Sequence, residues 1–225
     1  MKRKIELFMV LFLLIGAIVT SWKLSQLTAG VSKEAKKSKE EEIVIVVDPG
    51  HGGEDPGKVG INDVLEKDLN LQVAKKVIKL LKKEGIKIVT TREDDNVPES
   101  KSKDLEERVK LINDTKPTLT LCIHQNSYPD QAIRGAQVFY YTPSEQAKEA
   151  ATIVQEELRT VDPTNTRQIK ANDTYYMLKN TEVPTIIVEC GFLTNPEEAE
   201  KLTQEDYQDQ LAKAICGGII KWLDK

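Results

Sequence analysis

Runs of β-branched residues alternate along this chain with stretches whose apolar positions recur every three or four residues. Ile43 to Val47 (IVIVV) is uniformly apolar, as in a strand buried on both faces. It gives way to Asp48-Pro49-Gly50-His51-Gly52-Gly53, a turn by composition. From Glu66 to Glu84, Leu69, Val73, Val77, Leu80 and Leu81 share one face with lysines opposite, which predicts an amphipathic helix stopped by Gly85. Ile86 to Thr90 reads as a second strand, and Asp104 to Asp114 as a helix built on Leu105, Val109 and Ile112. Thr118 to Ile123 is a third strand running into His124, and Ala136 to Tyr141 a fourth. Ser144 caps a helix reaching about Arg159. A short helix from about Thr174 to Asn180 precedes Pro184, and Thr185 to Val188 is a strand running into Glu189. The C-terminal helical stretch from Pro196, with breaks, turns Leu211, Ile215, Ile219 and Trp222 inward. Strands alternating with helices predict a single α/β domain, with a mostly parallel (mixed) central sheet covered by helices on both faces.

The first 42 residues break this pattern. Met1-Lys2-Arg3-Lys4 is basic, and Leu7 to Val19 is continuously apolar. A charged start and a short apolar core form the pattern of a secretory signal. With Trp22 and Lys23 as interfacial anchors, residues 7–22 also suit a membrane anchor. Residues 1–27 are therefore expected to be a signal peptide or an N-terminal anchor, and either one exports the remainder of the chain. Thr28 to Glu42 holds no apolar side chain larger than valine. Such a segment buries too little surface to offset its ordering entropy, so a flexible charged linker is expected over 28–42 and a folded domain over 43–225.

Charge and cysteine usage narrow the function. Residues 43–225 carry 24 Lys and Arg against 31 Asp and Glu, a net charge of −7, which gives no electrostatic reason to bind nucleic acid. Cys122, Cys190 and Cys216 are odd in number and follow no spacing pattern. They argue against a disulfide framework and against a cysteine-based zinc site.

The chain has two histidines, His51 beyond the first strand and His124 beyond the third. In open α/β sheets, ligands bind at the carboxyl ends of the strands, so the two could share a metal ion. Glu189 falls on the same rim, embedded in TIIV before it and Cys190-Gly191-Phe192 after it. A carboxylate buried there needs a partner, a proton or a metal. Burial would raise its pKa and suit it to general-base work, whereas an ion pair with Arg92 or Arg134 would make it structural. A hydrolytic zinc site takes three protein ligands and keeps one open position. The third donor could be Asp48, Glu54, Asp55, Glu66 or Asp68. Glu66 opens a helix that could point back to the rim, and Asp48 lies on the strand end itself.

VVDPGHGGEDPG (Val46 to Gly57), the helix start Glu66 to Leu71, Thr91-Arg92, Cys122 to Ser127, Arg134-Gly135 and Val183 to Asn195 together resemble the zinc-dependent N-acetylmuramoyl-L-alanine amidases. The resemblance runs from Ile43 to about Trp222. It implies a phosphorylase/hydrolase-like α/β fold and one Zn2+ per chain held by His51, Glu66 and His124, with Glu189 as the catalytic residue. Cys122 departs from the serine common in that family. The substrate implied is a peptidoglycan glycan strand with its stem peptide, cut between the lactyl group of N-acetylmuramic acid and L-alanine. Arg92, Asn126 and Arg134 are candidate substrate contacts. The bare layout, the CIHQNSYPD string and the GFLTNPEEAEKL string are similar to the germination-specific branch found in spore formers. That likeness implies spore-cortex maturation toward muramic δ-lactam, action at the outer face of the membrane or in the wall (the forespore intermembrane space in that setting), and an accessory protein. Two alternatives stand beside it. A zinc carboxypeptidase would release C-terminal residues from free peptides, and a catalytically inactive wall-binding or activator module would hold far less than one zinc per chain.

Overall fold

The computed structural model describes residues 18, 20–23, 25, 42–98 and 100–225. The chain falls into two compact units, residues 1–42 and 43–225. The expected leader and linker lie outside the described residues apart from 18, 20–23 and 25, whose backbone is helical, and Glu42, which is exposed and in neither helix nor strand. Among the described residues no helix is long and apolar enough to cross a membrane.

Six strands form one sheet in the second unit: β1 (Val44–Pro49), β2 (Lys87–Thr90), β3 (Leu119–Asn126), β4 (Gln137–Tyr141), β5 (Lys170–Asn172) and β6 (Thr185–Phe192). Their spatial order is β2-β1-β3-β6-β4-β5. All neighbours run parallel except β4 against β6, so the sheet is mixed, as expected. The helices are α1 (Glu66–Lys83), α2 (Lys101–Thr115), α3 (Glu145–Val161), α4 (Tyr176–Asn180), α5 (Pro196–Leu202) and α6 (Glu205–Leu223). Side-chain caps fix three starts: Ser100 accepts from the Lys103 amide, Ser144 from Ala147, and Asn195 from Glu198 just before Pro196.

Three differences from the sequence-based expectation have physical causes. β5 went unpredicted because three residues, Lys170-Ala171-Asn172, carry no alternation; backbone pairing to β4 alone defines the strand. β3 and β6 continue past His124 and Glu189 to Asn126 and Phe192, through a register shift between His124 and Asn126. Those two side chains therefore stand on the sheet near its carboxyl edge rather than in loops beyond it. Helix α2 starts three residues early, at Lys101, because Ser100 supplies the cap.

The two sheet faces differ. Ile45, Val47, Leu121, Ile123, Ile186 and Val188 point into the larger apolar core with residues of α1, α3 and α6. Val46, Cys122, Phe139 and Ile187 point the other way, into a smaller cluster with Ile112 of α2 and Met177 and Leu178 of α4. All three cysteines are buried and free, in line with the expectation from their spacing.

Candidate metal centre

Side chains alternate along a strand, so Asp48, His124 and Glu189 share the face of Val46, Cys122 and Ile187. His124 and Glu189 are direct cross-strand partners. Just past β1, His51 adopts a left-handed backbone with φ 62, and its ring meets that of His124 edge-on at 5.0 Å between centroids. Glu66, the first residue of α1, reaches back between them. Its Oε1 lies 3.3 Å from His51 Nε2 and 3.0 Å from His124 Nδ1. Close backbone approach makes this possible: a Cβ on Gly50 would sit 2.1 Å from the His124 ring, and one on Gly57 would sit 2.6 Å from Glu66 Oε2.

These donors fit a metal ion. Three ligands about 2.1 Å from a tetrahedral ion stand about 3.4 Å apart, and one donor atom each from His51, Glu66 and His124 lies within 4.8 Å of the others. The outer contacts also match such a site. Asp55 Oδ2 sits 2.8 Å from His51 Nδ1, fixing the ring so that Nε2 faces Glu66. Glu66 Oε2 accepts from the Lys58 amide at 2.8 Å, and Oε1 from the Gln125 amide at 3.2 Å and Asn70 Nδ2 at 3.3 Å. Burial alone would raise the Glu66 pKa, but the hydrogen bonds and charges of His124 and His51 hold it well below the carboxylate range. Burial likewise opposes charge on His124, yet Glu66, Glu189 and Asp48 raise its pKa.

Asp48, the rival third donor, is engaged elsewhere. Arg108 Nη1 donates to its Oδ1 at 2.7 Å and Thr91 Oγ1 at 2.6 Å. Arg108 also donates to Pro49 O at 2.8 Å, to His51 O at 2.7 Å and to Asp104 at 2.9 Å. Arg92 is 5 % exposed and faces backbone: it donates to the carbonyls of Pro49, Gly50, Lys67 and Asp94. The two arginines thus gather three consecutive carbonyls and fix the loop that presents His51. Arg108 was not foreseen from the sequence, although its place in α2 four residues after Asp104 is the one local signal of a buried ion pair.

Glu189 has neither partner considered for it in the sequence. Arg92 is held by carbonyls, and Arg134 is exposed, paired with Glu197 at 3.4 Å and donating to Thr164 at 3.1 Å. Glu189 is 8 % exposed, and among the described residues its Oε2 meets no hydrogen-bond partner. Burial raises its pKa to about 7, with the Glu66 charge adding to the rise and the two histidines opposing it. Its carboxyl lines a cleft of about 410 Å³ whose wall includes His51, His124, Tyr175, Tyr176 and Lys101. Asn126 lies on the same face as His124, with its Oδ1 taken by the Ser127 amide at 2.8 Å.

A mixed α/β sheet carrying a His–Glu–His cluster beside a buried, unpartnered carboxylate in a cleft defines a hydrolase with a candidate metal site. The N-acetylmuramoyl-L-alanine amidase family profile matches residues 45–221, and the chain belongs to that family. It is a hydrolase of the amide bond that joins N-acetylmuramic acid to L-alanine in peptidoglycan. The chain is 40% identical over 188 residues to the germination-specific N-acetylmuramoyl-L-alanine amidase of Bacillus subtilis, spanning 80% of this chain and 79% of that one. Among solved structures it resembles the CwlD amidase from Clostridioides difficile in complex with the GerS lipoprotein. That match has a TM-score of 0.78 and 36% identity and covers 81% of this chain and 98% of that one. The catalytic domain of CwlV from Bacillus (Paenibacillus) polymyxa matches with a TM-score of 0.73 and 32% identity, covering 81% and 98%.

Proposed function

We propose that His51, Glu66 and His124 hold one zinc ion and that Glu189 is the proton-transfer group of the amidase. The observation that carries this reading is the Glu189 carboxyl, buried and unpartnered at Oε2 on the strand position beside His124. Lewis acidity toward water and toward the scissile carbonyl is the chemistry zinc supplies when bound. Glu189 Oε2 takes a proton from the attacking water and returns it to the departing nitrogen of L-alanine. A pKa near the working pH suits a group that must accept and then release a proton. Asp55 holds the His51 ring through Nδ1, and Arg108 and Arg92 hold the backbone that carries it. Asn126 is available beside the cleft for the substrate.

The same reading covers the whole chain. Residues 43–225 are the catalytic body, residues 28–42 the tether, and residues 1–27 the export signal or membrane anchor, which puts the enzyme at the outer membrane face or in the wall. The likeness to a germination-specific amidase supports a role in spore-cortex maturation, and a relative whose structure is in complex with a lipoprotein supports an accessory protein partner.

Mass spectrometry of purified peptidoglycan digested by the full chain, chelated and then restored with zinc, tests the proposal. Zinc-dependent release of stem peptides beginning at L-alanine is expected. Release of single C-terminal residues would replace the reading with a carboxypeptidase. Inactivity with well under one zinc bound per chain would favour a binding module.

A further inference from the structure

Arg167 packs on β4 and β6 next to the strand position of Glu189, outside the residues that line the cleft itself. Phe192 pairs with Asn126 across β3 and β6, just beyond the register shift that follows the His124–Glu189 pair. The guanidinium of Arg167 lies over the Phe192 ring, 4.5 Å from its centroid. Gln137 is the cross-strand partner of Glu189 on β4, and Arg167 Nη1 donates to its Oε1 at 3.2 Å. The group is therefore anchored one strand and one step away from the catalytic carboxyl.

Its remaining contacts fix the arm without neutralising it. Nε donates to Arg134 O at 2.7 Å, the backbone amide donates to Asn165 Oδ1 at 3.0 Å, and Arg159 Nη2 donates to the Arg167 carbonyl at 2.8 Å. Asn165 in turn donates to Ala136 O at 2.8 Å. Among the described residues no carboxylate lies within ion-pair distance of Arg167 and its Nη2 meets no acceptor. Partial burial disfavours its charge, with Glu198 opposing only by its field. Arg92 and Arg108 are occupied by buried carbonyls and carboxylates, Lys101 by Asp55 at 2.9 Å and Arg134 by Glu197, while Lys170 lies over the Phe139 ring. A preorganised, stacked guanidinium with a free edge is the usual receptor for a carboxylate.

Substrate chemistry says which carboxylate. In the scissile linkage the lactyl carboxyl is consumed in the amide, and the N-acetylated sugars are neutral. The anions near that bond belong to the stem peptide beyond L-alanine. Resting on the amidase reading above, we infer that Arg167 binds a free carboxylate of the stem peptide, and so directs the peptide side of the substrate toward the β4–β6 end of the cleft.

The test compares uncross-linked glycan strands whose second stem residue bears a free α-carboxylate with the same strands carrying the carboxamide. The full-length wild type should favour the free acid by about 10- to 100-fold in kcat/KM, mainly through KM, the range of one charge-assisted hydrogen-bonded pair. Arg167→Ala should remove the preference by slowing only the acid substrate, and Arg167→Lys should keep part of it. Equal use of both strands by the wild type overturns the inference even if no variant folds. An unchanged acid-to-amide ratio in Arg167→Ala, with both rates lowered, overturns it in favour of a structural role. Turnover of neither strand by zinc-loaded wild type would remove the amidase reading itself, and this inference with it.

Discussion

The same three strands build both faces of the sheet, yet the faces carry opposite chemistry one residue apart. Val47, Ile123 and Val188 point into the core under α1, α3 and α6, while their successors Asp48, His124 and Glu189 point toward α2 and α4. The first face is roofed by three helices of 17 to 19 residues and is mostly apolar, with Asn70, Gln125, Gln155 and Gln208 as its buried polar side chains. The second has a 15-residue and a five-residue helix and buries an Asp48–Arg108–Asp104 network beside the cleft. The thin roof leaves the cleft open, and the thick one supplies the burial that holds the strands in place. Polar groups on the thin side are costly unless matched. Nearly all are matched, by backbone amides, carbonyls and an arginine. Among the described residues three buried side-chain oxygens meet no partner, on Thr120, Gln125 and Glu189; the charged one is Glu189, the group proposed to move protons.

The largest expected effect separates chemistry from architecture on that second face. Glu189→Gln is nearly isosteric and lies outside the proposed ligand triad, so turnover should fall by about 10²- to 10⁴-fold while zinc remains bound. Peptide release and metal content measured on the same sample decide it. Loss of zinc together with activity would make Glu189 a ligand and reassign the site.

A pair of substitutions then sets the faces against each other. Leu121→Ala removes a fully buried side chain from the thick side and should cost about 2–5 kcal/mol of stability, with no dependence on pH. Asp48→Asn on the thin side leaves Arg108 with Asp104 as its remaining carboxylate, toward the lower end of about 3–5 kcal/mol at neutral pH. Burial by itself would raise the Asp48 pKa, but Arg108 and Thr91 hold it below its ordinary 3.8. A depressed carboxylate stabilises the fold above its unfolded pKa and loses that contribution as pH falls through the folded value. The Asp48→Asn deficit should therefore be full at pH 7 and shrink below about pH 4, while the Leu121→Ala deficit stays flat. Denaturant titrations at neutral and acid pH measure both. A pH-independent Asp48→Asn deficit would mean that the aspartate charge is not what Arg108 stabilises.

The two faces were not equally legible in the sequence. The thick side follows from periodicity alone: IVIVV, TLTLCI and TIIV mark its strands, and Leu69, Val73 and Val77 mark α1. On the thin side, His51, His124 and Glu189 stood out because each interrupts or ends an apolar run. Glu66 needed a family likeness to be preferred over Asp48, since the sequence does not reveal that Asp48 is occupied by an arginine 60 residues away. For the same reason the sequence left the role of Arg92 open between substrate contact and structure. The four partners of Arg92 are backbone carbonyls, which leave no trace in residue identities. β5 escaped because an edge strand of three polar or small residues is defined by its neighbour alone.

The smallest effect tests whether the thin side is held by charge beyond the proposed ligand triad. Asp55 links His51 Nδ1 to Lys101 Nζ, and those two hydrogen bonds outweigh its partial burial to bring its pKa to about 2. By the linkage its depressed pKa implies, Asp55→Ala should cost the metal-free protein about 2 kcal/mol at neutral pH. Without the carboxylate the His51 ring is free to rotate or change tautomer, so zinc affinity should fall by about 10- to 100-fold. Calorimetric zinc titration of the metal-free protein reads this directly, and saturating zinc should restore most of the amidase activity. Unchanged affinity would mean that the backbone clamp of Arg92 and Arg108 suffices to orient His51. Lost affinity that excess zinc does not rescue would instead place Asp55 in the reaction.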